Sequence, residues 1–429
     1  MSAAEPARNF ATAVVQKLHD AGHVALFAGG CVRDLLMGRQ PQDYDVATDA
    51  RPDQVRELFG HRKTLAVGES FGVVIVLGPR VEGQHLKVET ATFRSEGAYL
   101  DGRRPDPDQI RFTTAEEDAR RRDFTINGMF YDPLAGEVRD YVGGEPDVRA
   151  GIIRAIGRPQ DRMQEDKLRM LRAIRFAATL DFEIEPATAD AVQEMAPQLT
   201  VVSVERITQE LTKMLVNRHR RRAVRLAQQL ALLPVMLPEI ADQAAADNPG
   251  PWTHILDMLD GLETPGFELA LATLLQRLPA SGSGKRDRDR AGTVTAITRR
   301  LRLSNEQGER VVWLVAHQQD LAEAPQLPAA RLKRVLSHPF AGDLLAFMRA
   351  DVRARRGDAT TVEFVERYLA ETPADVLNPP PLVTGADLIA LGLKPGPDFQ
   401  SLLERLRDEQ LEGRVTTKDG AIALVRTWI

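Results

Sequence analysis

Asp43 and Asp45 alternate in the stretch Asp43-Tyr44-Asp45, and strand geometry would turn both carboxylates to one face. Two acids so placed suit a hard divalent cation. Magnesium (Mg2+) takes one or two carboxylates and completes its shell with phosphate oxygens. Paired ions about 3.5–4 Å apart clamp the attacking and leaving oxygens of an in-line displacement. Glu89, in the strand-like segment 86–93, is the candidate third acid. If its strand lies beside the first two acids, it completes the metal site or serves as general base for a 3′-hydroxyl. Upstream, the apolar run 24–28 reads as a buried strand, broken by Gly29 and Gly30 and followed by a helical turn or two over 32–37. A strand, a glycine turn and a helix start leave backbone N–H groups free to hold phosphate. The conjunction suggests a nucleoside triphosphate held with its metal ions.

Two further pairs add chemistry. Asp123 and Asn127 are four apart in a segment, 115–130, that reads as one helix. On one helical face, a carboxylate and an amide can hydrogen-bond a sugar edge. Asp166 and Arg169 are three apart in a strongly helical segment, 165–180, and should project together. A carboxylate accepting from an exocyclic amine, with a guanidinium donating to a ring nitrogen, fits cytosine and adenine and rejects uracil and guanine. The plainer alternative is a surface ion pair, which contributes little.

These residues carry a resemblance. Gly29-Gly30-x-Val32-Arg33-Asp34 with Pro41-x-Asp43-x-Asp45-x-x-Thr48 resembles the head domain of bacterial tRNA nucleotidyltransferases and poly(A) polymerases, in the polymerase-beta nucleotidyltransferase superfamily. Arg121-Arg122-Asp123-Phe124-Thr125-Ile126-Asn127 is similar to the family's next motif, Glu165-Asp166-Lys167-Leu168-Arg169 to the one after, and Gly392-x-x-Pro395-Gly396-Pro397-x-Phe399 to a tail segment. The resemblance implies Mg2+ on Asp43 and Asp45, with Glu89 as the third catalytic acid. It implies nucleotide contacts from Gly29, Gly30, Arg33, Arg122, Asp123, Asn127, Asp166, Arg169 and Arg172. Asp123 and Asn127 would select the ribose, and Asp166 with Arg169 would template the base. CTP and ATP would be added to the 3′ end of tRNA, with no membrane and no other protein partner implied. Gly128 stands where the family more often has alanine. The His-Asp pair that many relatives carry after Trp252-x-His254 is replaced around Leu271–Leu275, so no metal-dependent phosphatase activity is expected, and His254 reads as structural. Segment 67–74 resembles the tRNA enzymes rather than the poly(A) polymerases. The glycine- and proline-rich loop 94–111 suggests full CCA addition or A addition alone. A poly(A) polymerase or an A-adding enzyme is the alternative within the family. A catalytically silent RNA-binding protein is the alternative outside it, disfavoured because metal ligands have no use in a passive binder.

The elements that must position these residues give an α+β reading. The chain has 429 residues, enough for two to four domains. Residues 1–157 mix short strands and helices, as a small mixed-sheet catalytic head would. Strand signals then nearly vanish: 158–280 reads as a helical neck and body, 281–292 as a flexible glycine-serine and charged linker, and 293–429 as a helical body and tail that binds tRNA. The formal net charge of −5 does not advertise nucleic-acid binding, but a local patch suffices, and Arg218, Arg220, Arg221 and Arg222 form a candidate RNA contact. The single cysteine, Cys31, excludes intrachain disulfides and a four-cysteine zinc site. No apolar run reaches membrane-spanning length and no signal-peptide pattern opens the chain, so a soluble cytoplasmic protein is expected.

Overall fold

Helix α1 (Ala4–Asp20) buries Ala11, Val14, Val15 and Leu18, the helical stripe its sequence supplies, against the strands that follow. The structure, a computed structural model, describes residues 4–66, 72–95, 99–100, 104–105, 111–245, 250–278, 286–394 and 396–428. Most of segment 67–74 and of loop 94–111 therefore lies outside the described residues, as does Pro395. Strand β1 (Ala25–Ala28) is buried on both faces and leads directly into α2 (Gly30–Leu36), then β2 (Asp45–Thr48), α3 (Pro52–Phe59), β3 (Thr64–Leu65), β4 (Val73–Val81) and β5 (Gln84–Thr92). Among the described residues these form a seven-stranded mixed sheet. Its order is Glu137–Arg139, Phe130–Asp132, β1, β2, β5, β4, β3. Within this sheet β2 and β5 pair in parallel and the other neighbours antiparallel. One face of this sheet, through Leu26, Ala28, Ala47 and Phe130, packs with Phe93 and Ala119.

Helix α4 (Ala115–Arg120) is capped by Thr114, whose hydroxyl accepts from Glu117 N–H, and it stops at Arg120. The helix expected over 115–130 is thus corrected. Phe124 is extended and bridges Ala155, Thr125 N–H donates to Arg154 C=O, and Ile156 N–H donates to Asp123 C=O. Burying Phe124 and Ile126, both fully enclosed, recruits this stretch into sheet-like pairing at the expense of the helical ladder. After α5 (Gly144–Ala150), the helix expected over 165–180 proves to be two, α6 (Pro159–Glu165) and α7 (Leu168–Leu180). Asp166 has an extended backbone between them, and its Oδ1 accepts from Leu168 N–H at 3.0 Å. The side chain thereby competes with the helical ladder and starts α7 afresh.

Helices α8 (Pro186–Met195), α9 (Val204–Val216) and α10 (Arg220–Gln229) follow, with α7 packed against α9 and α10. The first compact unit runs from Met1 to Ala241, so the head and the helices after 157 form one body. A short parallel pairing of Ile152–Ile153 with Glu183–Ile184 ties them. The second unit, Asp242–Ile429, is helical among its described residues. Its last helices gather on Val383, Leu388, Leu406, Ala421 and Val425. Of the expected linker 281–292, the first part lies outside the described residues, and from Arg286 onward the chain is the helix Arg286–Arg300.

Gly128 gains its meaning from this packing. It lies outside any α-helix, and a Cβ there would sit 2.7 Å from Val142 Cγ2 and 2.9 Å from Ile156 Cδ1. Gly128→Ala should cost about 1–3 kcal/mol through overpacking, read as a lower midpoint in denaturant unfolding. An unchanged midpoint would remove this account.

Candidate active site

The glycine turn, the acids and both downstream pairs converge on one cavity of about 860 Å³ in the first unit. Gly29 ends β1 with φ of +74° and ψ of −130°, a conformation glycine tolerates best. Its missing side chain also leaves room for Arg122, whose Nη1 would lie 3.2 Å from a Cβ placed there. Cys31 is buried next to this turn, and burial pushes its thiol up to about 11, which leaves it unreactive.

Register brings the acids together. Val46 pairs with Thr90 across the parallel β2–β5 ladder, so Asp45 and Glu89 stand one step back on adjoining strands, on the same face. Asp43, Asp45 and Glu89 all line the cavity. Loss of hydration, then repulsion from Glu89 and Asp43, raises the Asp45 carboxyl from 3.8 to about 6, with Arg122 opposing. Such clustered, under-compensated negative charge fits a divalent cation. Among the described residues no three His, Cys, Asp or Glu side chains converge tightly enough to hold an ion alone.

Opposite charge lines the rest of the cavity, which has eight basic and five acidic side chains in all. Asp118, 1% exposed, holds Arg121 at 2.6 Å and Arg122 at 3.0 Å. Burial opposes its ionisation, but Arg122 and Arg121 outweigh it and keep its pKa below the ordinary range. Arg122 also donates to Asn127 C=O at 3.2 Å and lies over the Phe130 ring. Arg33 donates to Asn127 Oδ1 at 2.8 Å and to Asp34. Asn127 donates in turn to Asp123 Oδ1 at 3.3 Å, so the pair read from helical spacing does meet, through a tight turn. Asp123 is buried, which would raise its pKa, but Arg172 at 2.6 Å, with Arg169 beyond, draws it down to about 2.

Asp166 and Arg169 line the same cavity, and Arg169 N–H donates to Asp166 C=O at 3.0 Å where α7 begins. Arg206 of α9 grips Asp166 Oδ2 at 2.7 Å. Arg169 donates to Glu165 at 2.5 Å and to the carbonyls of Arg162 and Arg121. Both side chains are thus oriented from behind. Sequence reasoning missed Arg175, Phe176, Arg206 and Lys213. Arg175 continues the spacing of Arg169 and Arg172, and the guanidiniums of Arg33, Arg172 and Arg175 all lie over the Phe176 ring. Lys213 has no local signal.

The basic run needs a correction. Arg220 is 2% exposed and donates to Leu215 C=O, so it belongs to the interior rather than to an RNA contact. Arg222 is tied to Asp181, Glu183 and Phe182 C=O. Arg218 is exposed and Arg221 half-buried. In the second unit His254 bonds Asp351 at 2.8 Å, and Arg355 shares that carboxylate. No helix among the described residues is long and apolar enough to cross a membrane. Because the native state holds the Asp45 proton above the ordinary carboxylate pKa, stability is lost as pH rises from about 4 through 6. Asp45→Asn should flatten that slope and raise the melting temperature at neutral pH. A variant that melts with the wild-type pH dependence would overturn the carboxylate-cluster account.

Comparisons with known proteins follow this geometry. Residues 25–154 match the poly A polymerase head domain, and residues 181–243 match the probable RNA and SrmB-binding site of polymerase A. The CCA-adding enzyme of Lactobacillus helveticus (strain DPC 4571) is 34% identical over 418 residues, 95% of this chain and 94% of that protein. The CCA-adding enzyme of Bacillus subtilis (strain 168) is 46% identical over 211 residues, a stretch spanning about half of either chain (49% and 51%). The crystal structure of the Bacillus stearothermophilus CCA-adding enzyme in complex with CTP superposes with a TM-score of 0.76 at 26% identity, covering 100% of this chain and 99% of that one. The α+β head with its helical remainder, the order of its motifs and this near-complete alignment lead to one conclusion: the chain belongs to the family of CCA-adding enzymes and bacterial poly(A) polymerases.

Proposed function

We propose that this protein is a cytoplasmic CCA-adding tRNA nucleotidyltransferase. The tRNA 3′-hydroxyl attacks the α-phosphate of CTP or ATP, and pyrophosphate leaves, without a nucleic-acid template. The observation that carries this reading is that one cavity is lined by Asp43, Asp45 and Glu89 together with Asp166, Arg169 and a set of further guanidiniums. Enzymes of this family use a divalent metal ion, and we assign Mg2+, held by Asp43 and Asp45. When bound, it lowers the cost of the charge that develops on the reacting phosphate and activates the hydroxyl. Glu89, beside Asp45, is the carboxylate available to take the hydroxyl proton.

The remaining roles follow from what each side chain offers. Gly29, Gly30, Arg33 and Arg122 hold the triphosphate. Asn127 and Asp123 meet the ribose, and Arg172 keeps Asp123 ionised and oriented. Asp166 accepts from the exocyclic amine of cytosine or adenine, and Arg169 donates to the ring nitrogen. Arg218 and Arg221 contact RNA phosphate, while Arg220 and Arg222 brace their own fold.

Purified protein offered tRNAs ending before CCA, after C and after CC, with single NTPs and Mg2+, should extend each in order. Long A-tails on arbitrary RNA would show a poly(A) polymerase instead, and absence of any product would show a silent binder. Asp43→Ala should abolish transfer while leaving tRNA affinity unchanged; a normally active variant would refute the metal assignment. Arg169→Ala should admit UTP or GTP, and unchanged base choice would end the template role.

A further inference from the structure

Four rings gather in the second unit, away from every motif used above. Trp313 stacks with His317 at 4.5 Å and 17° and with His338 at 4.0 Å and 6°, and Phe340 meets both Trp313 and His338 edge-on. Trp313 and His317 stand one turn apart on the helix Asn305–His317, whose apolar stripe, Val311, Leu314 and Val315, is fully buried. The rings are only half-buried, and all four line a cavity of about 520 Å³. The size suits a small ligand with a flat ring and a polar appendage.

Hydrogen bonds fix the orientation of both imidazoles. Phe340 N–H and His338 Nδ1 lie 3.3 Å apart, with the amide as donor, so the ring proton of His338 belongs on Nε2. Partial burial and His317 lower the His338 pKa, which favours that neutral ring. His317 Nδ1 lies 2.8 Å from Trp313 C=O and donates to it. Arg299, in the last turn of Arg286–Arg300, borders the cavity, is exposed, and has no side-chain partner among the described residues. Asn305 and Glu309, one turn apart and exposed, offer an amide and a carboxylate at the same rim.

We propose that this cavity is a second nucleotide site: one base of an RNA strand extends the imidazole–indole stack, its edge faces Asn305 and Glu309, and its phosphate pairs with Arg299. Flat rings in parallel register receive any base face, and a lone guanidinium supplies the backbone contact, the combination by which single-stranded nucleic acid is held. That the strand is tRNA rests on the function proposed above; the site itself does not.

Binding is measured by fluorescence anisotropy of a labelled tRNA lacking its 3′ CCA, apart from nucleotide incorporation. His338→Ala should weaken binding about fivefold or more. His338→Phe, which keeps a stackable ring, should retain affinity. Arg299→Gln should lower the slope of log affinity against log salt by about 1. All three variants should incorporate CTP normally at saturating tRNA. Wild-type affinity and slope in His338→Ala and Arg299→Gln would overturn the site, as would a His338→Phe defect equal to that of alanine. Weakened binding of free CMP or AMP with RNA binding intact would assign the cavity to a mononucleotide and also overturn it. A wild-type protein that binds tRNA in this variant-sensitive way but incorporates nothing would sink the proposed activity and leave this site standing.

Discussion

The buried ion pair between Asp123 and Arg172 is the constraint on which the rest of the active cavity depends. Asp123 comes from the head, Arg172 from α7, and they meet at 2.6 Å with Asp123 almost out of solvent. Burying two charges is costly, and the attraction offsets that cost only when the remaining hydrogen-bonding capacity is filled. Asn127 and the Phe124 backbone N–H fill it on the Asp123 side. The Phe176 ring supports Arg172 from below. The pair therefore demands that head and helix hold one relative position, consistent with the single compact body they form. Removing Arg172 would leave the Asp123 carboxylate buried and under-compensated, at a cost of about 3–5 kcal/mol, a larger penalty than the pair's net contribution.

Around that pair, cations outnumber acids without mutual disruption because many are backed by something other than a carboxylate of the cavity. Asp118 and Glu210, both nearly fully buried, anchor Arg121, Arg122 and Arg175 from outside the lining. Phe176 carries three guanidiniums on one ring. The acids gather instead near β2 and β5, where Asp45 feels Glu89 more than it feels Arg122. The cavity thus has a cation-seeking end and an anion-seeking remainder, the polarity a metal-bound triphosphate presents in mirror image.

Much of this was legible in the chain, and the two overlong helices share one cause. Strand register places Asp45 beside Glu89, a relation that needs only a period of two; Asp43 joins them in the cavity from the segment just before β2, not from the alternating strand expected over 43–45. The helices expected over 115–130 and 165–180 were too long because the interruptions come from partners remote in sequence. Arg154 and Ala155 capture the backbone near Phe124, and Arg206 takes the Asp166 carboxylate. The basic run misled for a different reason. Arg220 precedes Ala223, Val224 and Ala227 at helical spacing, so the same stripe that buries those residues carries Arg220 inward. Composition alone could not sort four neighbouring arginines into buried and exposed; the stripe marks Arg220 as the buried one.

Asp166 is both a carboxylate of the cavity lining and the joint between α6 and α7. Its own N-terminal neighbour ends one helix, and its Oδ1 starts the next through Leu168. A side chain carried inside a helix moves only as the helix moves. Here a rotation at one residue's backbone turns α6 against α7 and swings the carboxylate with it. The joint between two helices and the direction of one hydrogen-bond acceptor thus share a single residue, and Arg206, reaching across from α9, holds that acceptor in place.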